Sequence, residues 1–290
     1  INDYIIFDRK PYRMKHILFP TDFSDNSEHA YPYALELARL FKADVTLFNS
    51  YKLPYSKSNL LVSMTDRMQN DSITSLEELK QEALGQLEYK NISIHTESRS
   101  GGFVSLIPKV AASIESDLIV MGTKGASGLK EMFIGSNTLE VIQTSHCPVL
   151  AIPEHAKDAQ KRKFDKIAMA TDLRKISDPK QLRPLFEIAR VCQAPIEFVN
   201  IIRPEDQVSD EERAQQVLFL EELAEDVQTS IHFATNEDII DGLSDYINHK
   251  KPDLFAMLSR KHNLFERLFT KSITNKLSFR TEIPLLVMDE

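Results

Sequence analysis

The chain has 290 residues, of which 42% are hydrophobic and 27% are charged, and its formal net charge is −8. This length suits two domains of about 140 residues each. The acidic balance argues against a basic surface for nucleic acid, and no apolar run approaches the roughly 20 residues of a membrane span. We therefore expect a cytoplasmic protein without nucleic-acid or membrane partners. Met14 is interpreted as the natural start, which makes residues 1–13 an N-terminal extension.

The chain contains an internal repeat. HILFPTDFSD at 16–25 resembles KIAMATDLRK at 166–175, and SDLIVMGTKG resembles PDLFAMLSRK 136 residues later. SHCPVLAIP returns as TEIPLLVMD, in the same order along the chain. Such self-similarity predicts a tandem duplication. The predicted parts are an N-terminal domain over 14–154, a polar linker over 155–163 and a C-terminal domain over 164–289.

The first half alternates short β-rich apolar runs with helical patterns. The runs predict strands over residues 17–19, 45–48, 92–94, 118–121 and 149–152. Alternating strands and helices indicate a parallel sheet with right-handed crossovers. We expect an α/β fold of two tandem, doubly wound, parallel five-stranded sheets with helices on both faces, of the Rossmann-like kind.

Apolar residues at helical spacing mark the helices. One stripe consists of Ala30, Ala34, Leu37, Ala38 and Phe41, and another of Ile73, Leu76, Leu79, Ala83 and Leu87, with Ser75 and Glu78 as a candidate capping box. Two more helices are predicted over 103–114 and 136–142. In the second half, one stripe is Leu182, Leu185, Ala189 and Cys192. Another is Val217, Leu218, Leu220, Leu223, Ala224 and Val227, opened by Ser209 with Glu212. Residues 51–70 lack clear periodicity and are expected to be irregular.

Four of the eight glycines fall within DLIVMGTKGASGLKEMFIGSNT at 117–138, directly after a predicted strand. Ligands of open parallel sheets bind at the carboxyl ends of the strands. Glycines let backbone N–H groups approach an anion, and the helix predicted from Ser136 offers free N–H groups there. Ser136 could cap this helix or donate its hydroxyl to a phosphate. The competing interpretation, a tight turn with a helix cap, explains one glycine better than four. No P-loop string and no G-x-G-x-x-G string occurs.

FPTDFSD after the first strand, MGTKG after the fourth, and the pattern G-x2-G-x9-G-S resemble the universal stress protein family, in its ATP-binding branch. The resemblance covers both halves. It implies ATP with Mg²⁺ or a similar divalent ion in the N-terminal domain only. It places Asp22 near the adenosine, the backbone of Ser50 at the adenine, and Met121 with Gly122 beside the ribose. The phosphates would contact Gly125, Gly135, Ser136 and Asn137, and the remaining implied contacts are Pro20, Thr21 and Lys124. For Lys124 a solvated loop position is the competing interpretation, and for Asp22 an N-cap role is compatible with binding.

The second half lacks these glycines. Leu258, Lys261, Leu264 and Lys271 stand at their positions, while Asp172 and Ser272 keep theirs. We expect the second half to keep the fold and to have lost this mode of nucleotide binding. A different anion site at Arg260, Lys261 and Lys271 is the weaker alternative to solvated basic residues.

No dedicated catalytic constellation is visible. The resemblance favours an ATP-binding sensor or regulator in the stress response. The alternatives are a nucleotide-independent protein-interaction module and a slow ATP hydrolase or autokinase. Members of the family pair through their last strands, so residues 149–152 and 285–288 are expected to pair antiparallel within this chain as a pseudo-dimer. A homodimer of two chains is a further option, and any protein client is unknown.

Overall fold

The computed structural model describes residues 13–51, 60–123, 135–156, 163–173, 176, 178–204, 208–259 and 283–289, and for residues 60–64 it describes the backbone alone. The strands of these parts are β1 His16–Pro20, β2 Asp44–Tyr51, β3 Ile94–Ser100, β4 Leu118–Gly122, β5 Val149–Ile152, β6 Ile167–Ala170, β7 Ile196–Ile202, β8 Thr229–Thr235, β9 Leu254–Ser259 and β10 Leu285–Asp289. The helices are α1 Asp25–Phe41, α2 Leu60–Gly85, α3 Phe103–Ser113, α4 Ser136–Thr144, α5 Arg183–Cys192, α6 Asp210–Ala224 and α7 Ile239–Lys250. A 3₁₀ turn over Pro179–Leu182 precedes α5.

The strands form one sheet in the order β3-β2-β1-β4-β5-β10-β9-β6-β7-β8. Strands within each half are parallel, and the two halves meet where β5 and β10 pair antiparallel, with Leu286 opposite Leu150. The predicted α/β fold with two doubly wound halves is confirmed. The predicted pairing of the last strands is also present, and it makes a single ten-stranded sheet of the described strands.

Two helical layers cover the sheet. Side chains of α1, α2, α5 and α6 form one buried cluster with one face of the sheet, and α3, α4 and α7 form a second cluster with the other face. Strands that are buried on both faces read as continuous apolar runs. The predicted stripe of α1 lies in the core, with Ala30, Ala34 and Ala38 fully buried. Within the described ranges, no helix combines the length and the apolar character of a membrane span.

The capping box of α6 is confirmed. The Ser209 hydroxyl accepts from the Glu212 N–H, and the Glu212 carboxylate accepts from the Ser209 N–H at 3.0 Å. The predicted α6 stripe is wrong at Leu218, whose surface is 64% exposed. Leu220, Leu223 and Ala224 do face the core.

Helix α2 corrects three predictions. It begins at Leu60, so residues 60–70 are helical; Tyr51 ends β2, and residues 52–59 lie outside the description. Ser75 is in the helix interior and cannot form a capping box with Glu78. Ile73 and Leu87 are 46% and 83% exposed, so they do not belong to the core-facing stripe. That stripe consists of Ser72, Leu76, Leu79 and Ala83.

The third strand was predicted two residues too early and too short. Ile92 lies in the turn after α2, and β3 runs over the polar segment IHTESRS. Among the described strands it pairs with β2 alone and forms one edge of the sheet. Edge strands carry polar and charged side chains, so an apolar run is a poor guide to them.

At the amino end of β1, the His16 ring is half-buried, and its Nε2 lies 2.7 Å from Thr46 Oγ1. Burial lowers the pKa of His16, His95 lowers it further, and Asp44 and Asp117 oppose the shift. Because the folded pKa lies below the unfolded value of about 6.5, the unfolded state binds more protons once the pH falls below that value. Stability should therefore decrease as the pH falls through about 6.5.

We expect His16→Gln, which can keep the bond to Thr46, to reduce the loss of stability at low pH. The measurement is the free energy of unfolding in urea at about pH 7.5 and about pH 5.5 for both proteins. If the free energy of unfolding changes by the same amount between the two pH values in the variant and in the wild type, His16 does not cause the pH dependence.

Candidate functional site

The strand order reverses in the N-terminal half between β1 and β4. The chain leaves β1 for α1 on one face of the sheet and leaves β4 for α4 on the other. The pairing of Leu18 with Ile119, continued along both strands, places Thr21 level with Gly122. A crevice at the carboxyl ends of the strands is where open α/β sheets bind ligands.

Thr21 ties the end of β1 to its neighbours. It is buried, its N–H donates to Phe48 O at 2.8 Å, and its carbonyl accepts from Asn49 Nδ2 at 2.7 Å. Its hydroxyl accepts from Phe23 N–H and bonds to Ser27 Oγ at 2.8 Å. These bonds occupy the Thr21 side chain within the fold.

Asp22 is exposed two residues after the end of β1. Its Oδ1 accepts from the Ser24 hydroxyl at 2.6 Å and from the Ser24 N–H at 3.2 Å. The N-cap of α1 is Ser24, whose side chain accepts from Ser27 N–H, so the N-cap role considered for Asp22 is wrong. The neighbouring Phe23 has a φ of 58°, a left-handed conformation that turns the chain sharply after Asp22.

The end of β2 extends beyond β1. Pairing with β1 stops at Phe48, whereas pairing with β3 continues to Tyr51. The backbone of Ser50 is therefore not paired with β1 on the side that faces β1. A backbone segment that binds a ligand needs such an unpaired side. Pro20, the last residue of β1, is buried opposite Phe48.

Gly122 is required by packing against α1. A Cβ at this position would lie 2.4 Å from Asn26 Oδ1 and 2.9 Å from Asn26 O. The Thr138 hydroxyl donates to the Gly122 carbonyl at 2.9 Å, which holds α4 against β4. The Met121 side chain is buried in the core with α3 and α4, so only its backbone can face a ligand.

The N-terminus of α4 lies directly at the end of β4. Gly135 N–H donates to Thr123 O at 2.5 Å, and Gly135 is the N-cap. The predicted capping role of Ser136 is therefore wrong, and no described side chain caps this helix. Ser136 and Asn137 are exposed in its first turn. A helix start without a cap presents N–H groups and a positive dipole end to an anion. Lys124 and Gly125 lie outside the described residues.

A polar chain that the sequence patterns do not predict lies near the carboxyl ends of β1 and β2. Asn49 Oδ1 accepts from the Ser72 hydroxyl at 2.7 Å, and Ser72 Oγ lies 2.7 Å from Ser98 Oγ. Together with the bond from Asn49 to Thr21 O, this chain links β1, β2, β3 and α2. The repeat contains a signal for it, because Asn200 in β7 of the second half matches Asn49 in β2.

Asn200 of the second half matches Asn49, but its side-chain oxygen has a different hydrogen-bond partner. Asn200 Nδ2 donates to Thr171 O at 2.9 Å, as Asn49 does to Thr21. Its Oδ1 accepts from Arg213 Nη1 at 3.1 Å, and Arg213 is buried at the start of α6. The asparagine is thus a structural tether in both halves.

The loss of glycine at Leu258 also has a structural reason. Leu258 packs against the core on the face where Gly122 meets α1. Helix α1 begins five residues after β1, whereas α5 begins thirteen residues after β6, with Pro184 in its first turn. Proline fits the first turn of a helix and disrupts an interior position, so it favours the later start. The second-half positions 260, 261, 264, 271 and 272 lie outside the described residues.

Comparison with known proteins agrees with this architecture. A model of the universal stress protein family matches residues 14–153. The universal stress protein MJ0531 of Methanocaldococcus jannaschii is 33% identical over 150 residues, which cover 50% of this chain and 85% of that protein. This chain belongs to the universal stress protein family.

Two further universal stress proteins extend the comparison. MJ0577 of the same organism is 32% identical over 152 residues, covering 48% of this chain and 94% of its own length. The crystal structure of a universal stress protein from Archaeoglobus fulgidus shares the fold with a TM-score of 0.70 at 17% identity, over 96% of this chain and 97% of that one. The universal stress fold therefore extends over both halves of the chain.

Proposed function

We propose that this universal stress protein binds ATP at the carboxyl edge of β1, β2 and β4 and acts in the cytoplasm as a nucleotide-dependent sensor or regulator. The observation that carries the proposal is the start of α4, which no described side chain caps. It lies at the end of β4, level with the turn that presents Asp22 on the neighbouring β1. The proposed site would combine anion-binding N–H groups with a carboxylate able to accept from a ribose hydroxyl.

The proposed contacts follow from the positions of the candidate residues at the carboxyl edge of the sheet. Asp22 would accept from the ribose, and the backbone of Ser50 would read the adenine. Gly135, Ser136 and Asn137 would hold phosphates, together with Lys124 and Gly125. Thr21 and Met121 would contribute backbone only, because their side chains are engaged in the fold, and Pro20 and Gly122 would shape the floor.

A divalent ion would depend on the nucleotide itself. No group of three or more His, Cys, Asp or Glu side chains in the described parts could hold a metal. Mg²⁺ in nucleotide sites keeps several waters and binds phosphate oxygens, so a cage of protein ligands is not required. In the proposed site the magnesium therefore arrives with ATP.

The test is Gly135→Asp. An aspartate at this N-cap would satisfy the first-turn N–H groups of α4 and repel a phosphate, while its capping bond supports the helix. Gly135 has a φ of −59°, which an aspartate adopts without strain. We expect ATP affinity, measured by titration calorimetry with magnesium, to fall by about tenfold or more, which corresponds to about 1.4 kcal/mol.

Gly85→Asp is the matched control, because an added Cβ there meets nothing within 4 Å. It should bind ATP like the wild type. Adenine nucleotide released from the purified wild-type protein by denaturation would support the proposal independently. A wild type that binds no ATP at millimolar concentration, or a Gly135→Asp variant that binds it equally well, would contradict the proposal.

A further inference from the structure

The two edges of the ten-stranded sheet differ in how they are protected. Strand β3 carries Glu97 and Arg99, which form an ion pair along the strand. Strand β8, TSIHFAT, has no aspartate, glutamate, lysine, arginine or proline. It pairs with β7 in continuous register over all seven residues, without a bulge. Charges, prolines and bulges are the usual devices that prevent edge strands from pairing with other chains, and β8 has none of them.

The side chains of β8 are also less polar than those of β3 at a matching position. By register with Asn49 and Asn200, Ser98 of β3 corresponds to Phe233 of β8. The Ser98 hydroxyl bonds to Ser72 on α2, whereas Phe233 is 45% exposed. The position that is polar and satisfied at the β3 edge is therefore an exposed aromatic at the β8 edge.

We propose that β8 is a dimerisation edge, where it pairs antiparallel with β8 of a second copy of this chain. Without charged side chains, the strand opposes no like charges in any register. With His232 at the two-fold axis, Ile231 would face the partner's Phe233, a β-branched and aromatic pair of the kind that stabilises sheets. A two-fold axis perpendicular to the sheet keeps the α6 layers of both copies on one face.

The centre of this chain already uses such a junction. Strands β5 and β10 join the two halves antiparallel through three paired residues, and β8 offers seven. No described strand pairs with the outer side of β8. The proposed dimer extends the sheet and does not depend on nucleotide binding.

The test is sedimentation velocity of the full chain at roughly 1 to 100 µM, with Ser230→Lys as the edge variant. Ser230 is exposed, so a lysine there costs the monomer little. We expect the wild type to dimerise with rising concentration. The dimer dissociation constant should rise by about tenfold or more in Ser230→Lys, because the two-fold axis brings two charges into the junction.

His95→Lys is the matched control, since His95 holds on β3 the place that Ser230 holds on β8. It should leave the dissociation constant unchanged. Phe233→Ser, which installs the β3 residue, should weaken the dimer less than Ser230→Lys, and circular dichroism would verify that each variant is folded. A wild type that stays monomeric, a dimer unaffected by Ser230→Lys, or one disrupted by His95→Lys would overturn the proposal.

Discussion

Leu286→Lys is expected to lower the free energy of unfolding by about 4 kcal/mol or more. Leu286 is fully buried at the junction of the two halves, where it pairs with Leu150 on β5 and Ala256 on β9. A lysine in this cluster must either bury its ammonium group or lose its proton, and both cost stability. The measurement is urea unfolding followed by circular dichroism.

The control is the same substitution at an exposed leucine. Leu87 is 83% exposed, so Leu87→Lys should change the free energy of unfolding by no more than about 0.5 kcal/mol. Similar losses in both variants would show that the β5–β10 junction is not a buried core.

Gly122→Leu, which places the second-half residue in the first half, is expected to cost about 3 kcal/mol. The new Cβ would meet both the side chain and the backbone carbonyl of Asn26, so a rotamer change of Asn26 cannot relieve the contact. A glycine that served only a ligand would tolerate leucine in the folded protein and lose binding alone. The free energy of unfolding without added nucleotide separates these two roles.

Gly85→Leu is the matched control, because its Cβ meets no atom within 4 Å, and it should be neutral or slightly stabilising in helix α2. Leu258→Gly tests the reverse exchange. This variant should lower the free energy of unfolding by about 1 to 3 kcal/mol, because the half-buried Leu258 side chain packs against the core. A stable Gly122→Leu variant would contradict the packing role of Gly122.

The helices show which sequence patterns were reliable. Helices α1 and α6 were recognised because both carry core-facing residues, and α6 also has a local cap at Ser209. The first turns of α2 were not recognised. Most side chains that the structure describes over 65–71 are exposed, so this part of the helix has no core-facing stripe to read. The pattern of Ser75 with Glu78 predicts a cap wrongly, because a capping box is a local pattern that also occurs by chance inside helices.

The candidate site also has features that the sequence predicts and features that it does not. The motifs placed Asp22, Ser50, Gly135 and Ser136 at strand and helix ends, and the structure puts these ends on one edge of the sheet. The bonds of Asn49 and the contact of Asn26 with Gly122 were not foreseen. Each joins residues that are distant in the sequence, and their geometry depends on how closely strands and helices approach one another.

The sequence by itself determined the duplication, the alternation of strands and helices, and the half that retains the glycines, because these are properties of local pattern and of comparison along the chain. The tertiary structure decided why individual positions differ. Gly122 must lack a side chain because α1 begins directly after β1, and Leu258 fits because α5 begins two turns later. It also decided which strands become edges, since the sheet order exposes β3 and β8 and buries every strand between them. The physical reason is that steric contact and burial depend on distances in space that the order of residues does not specify.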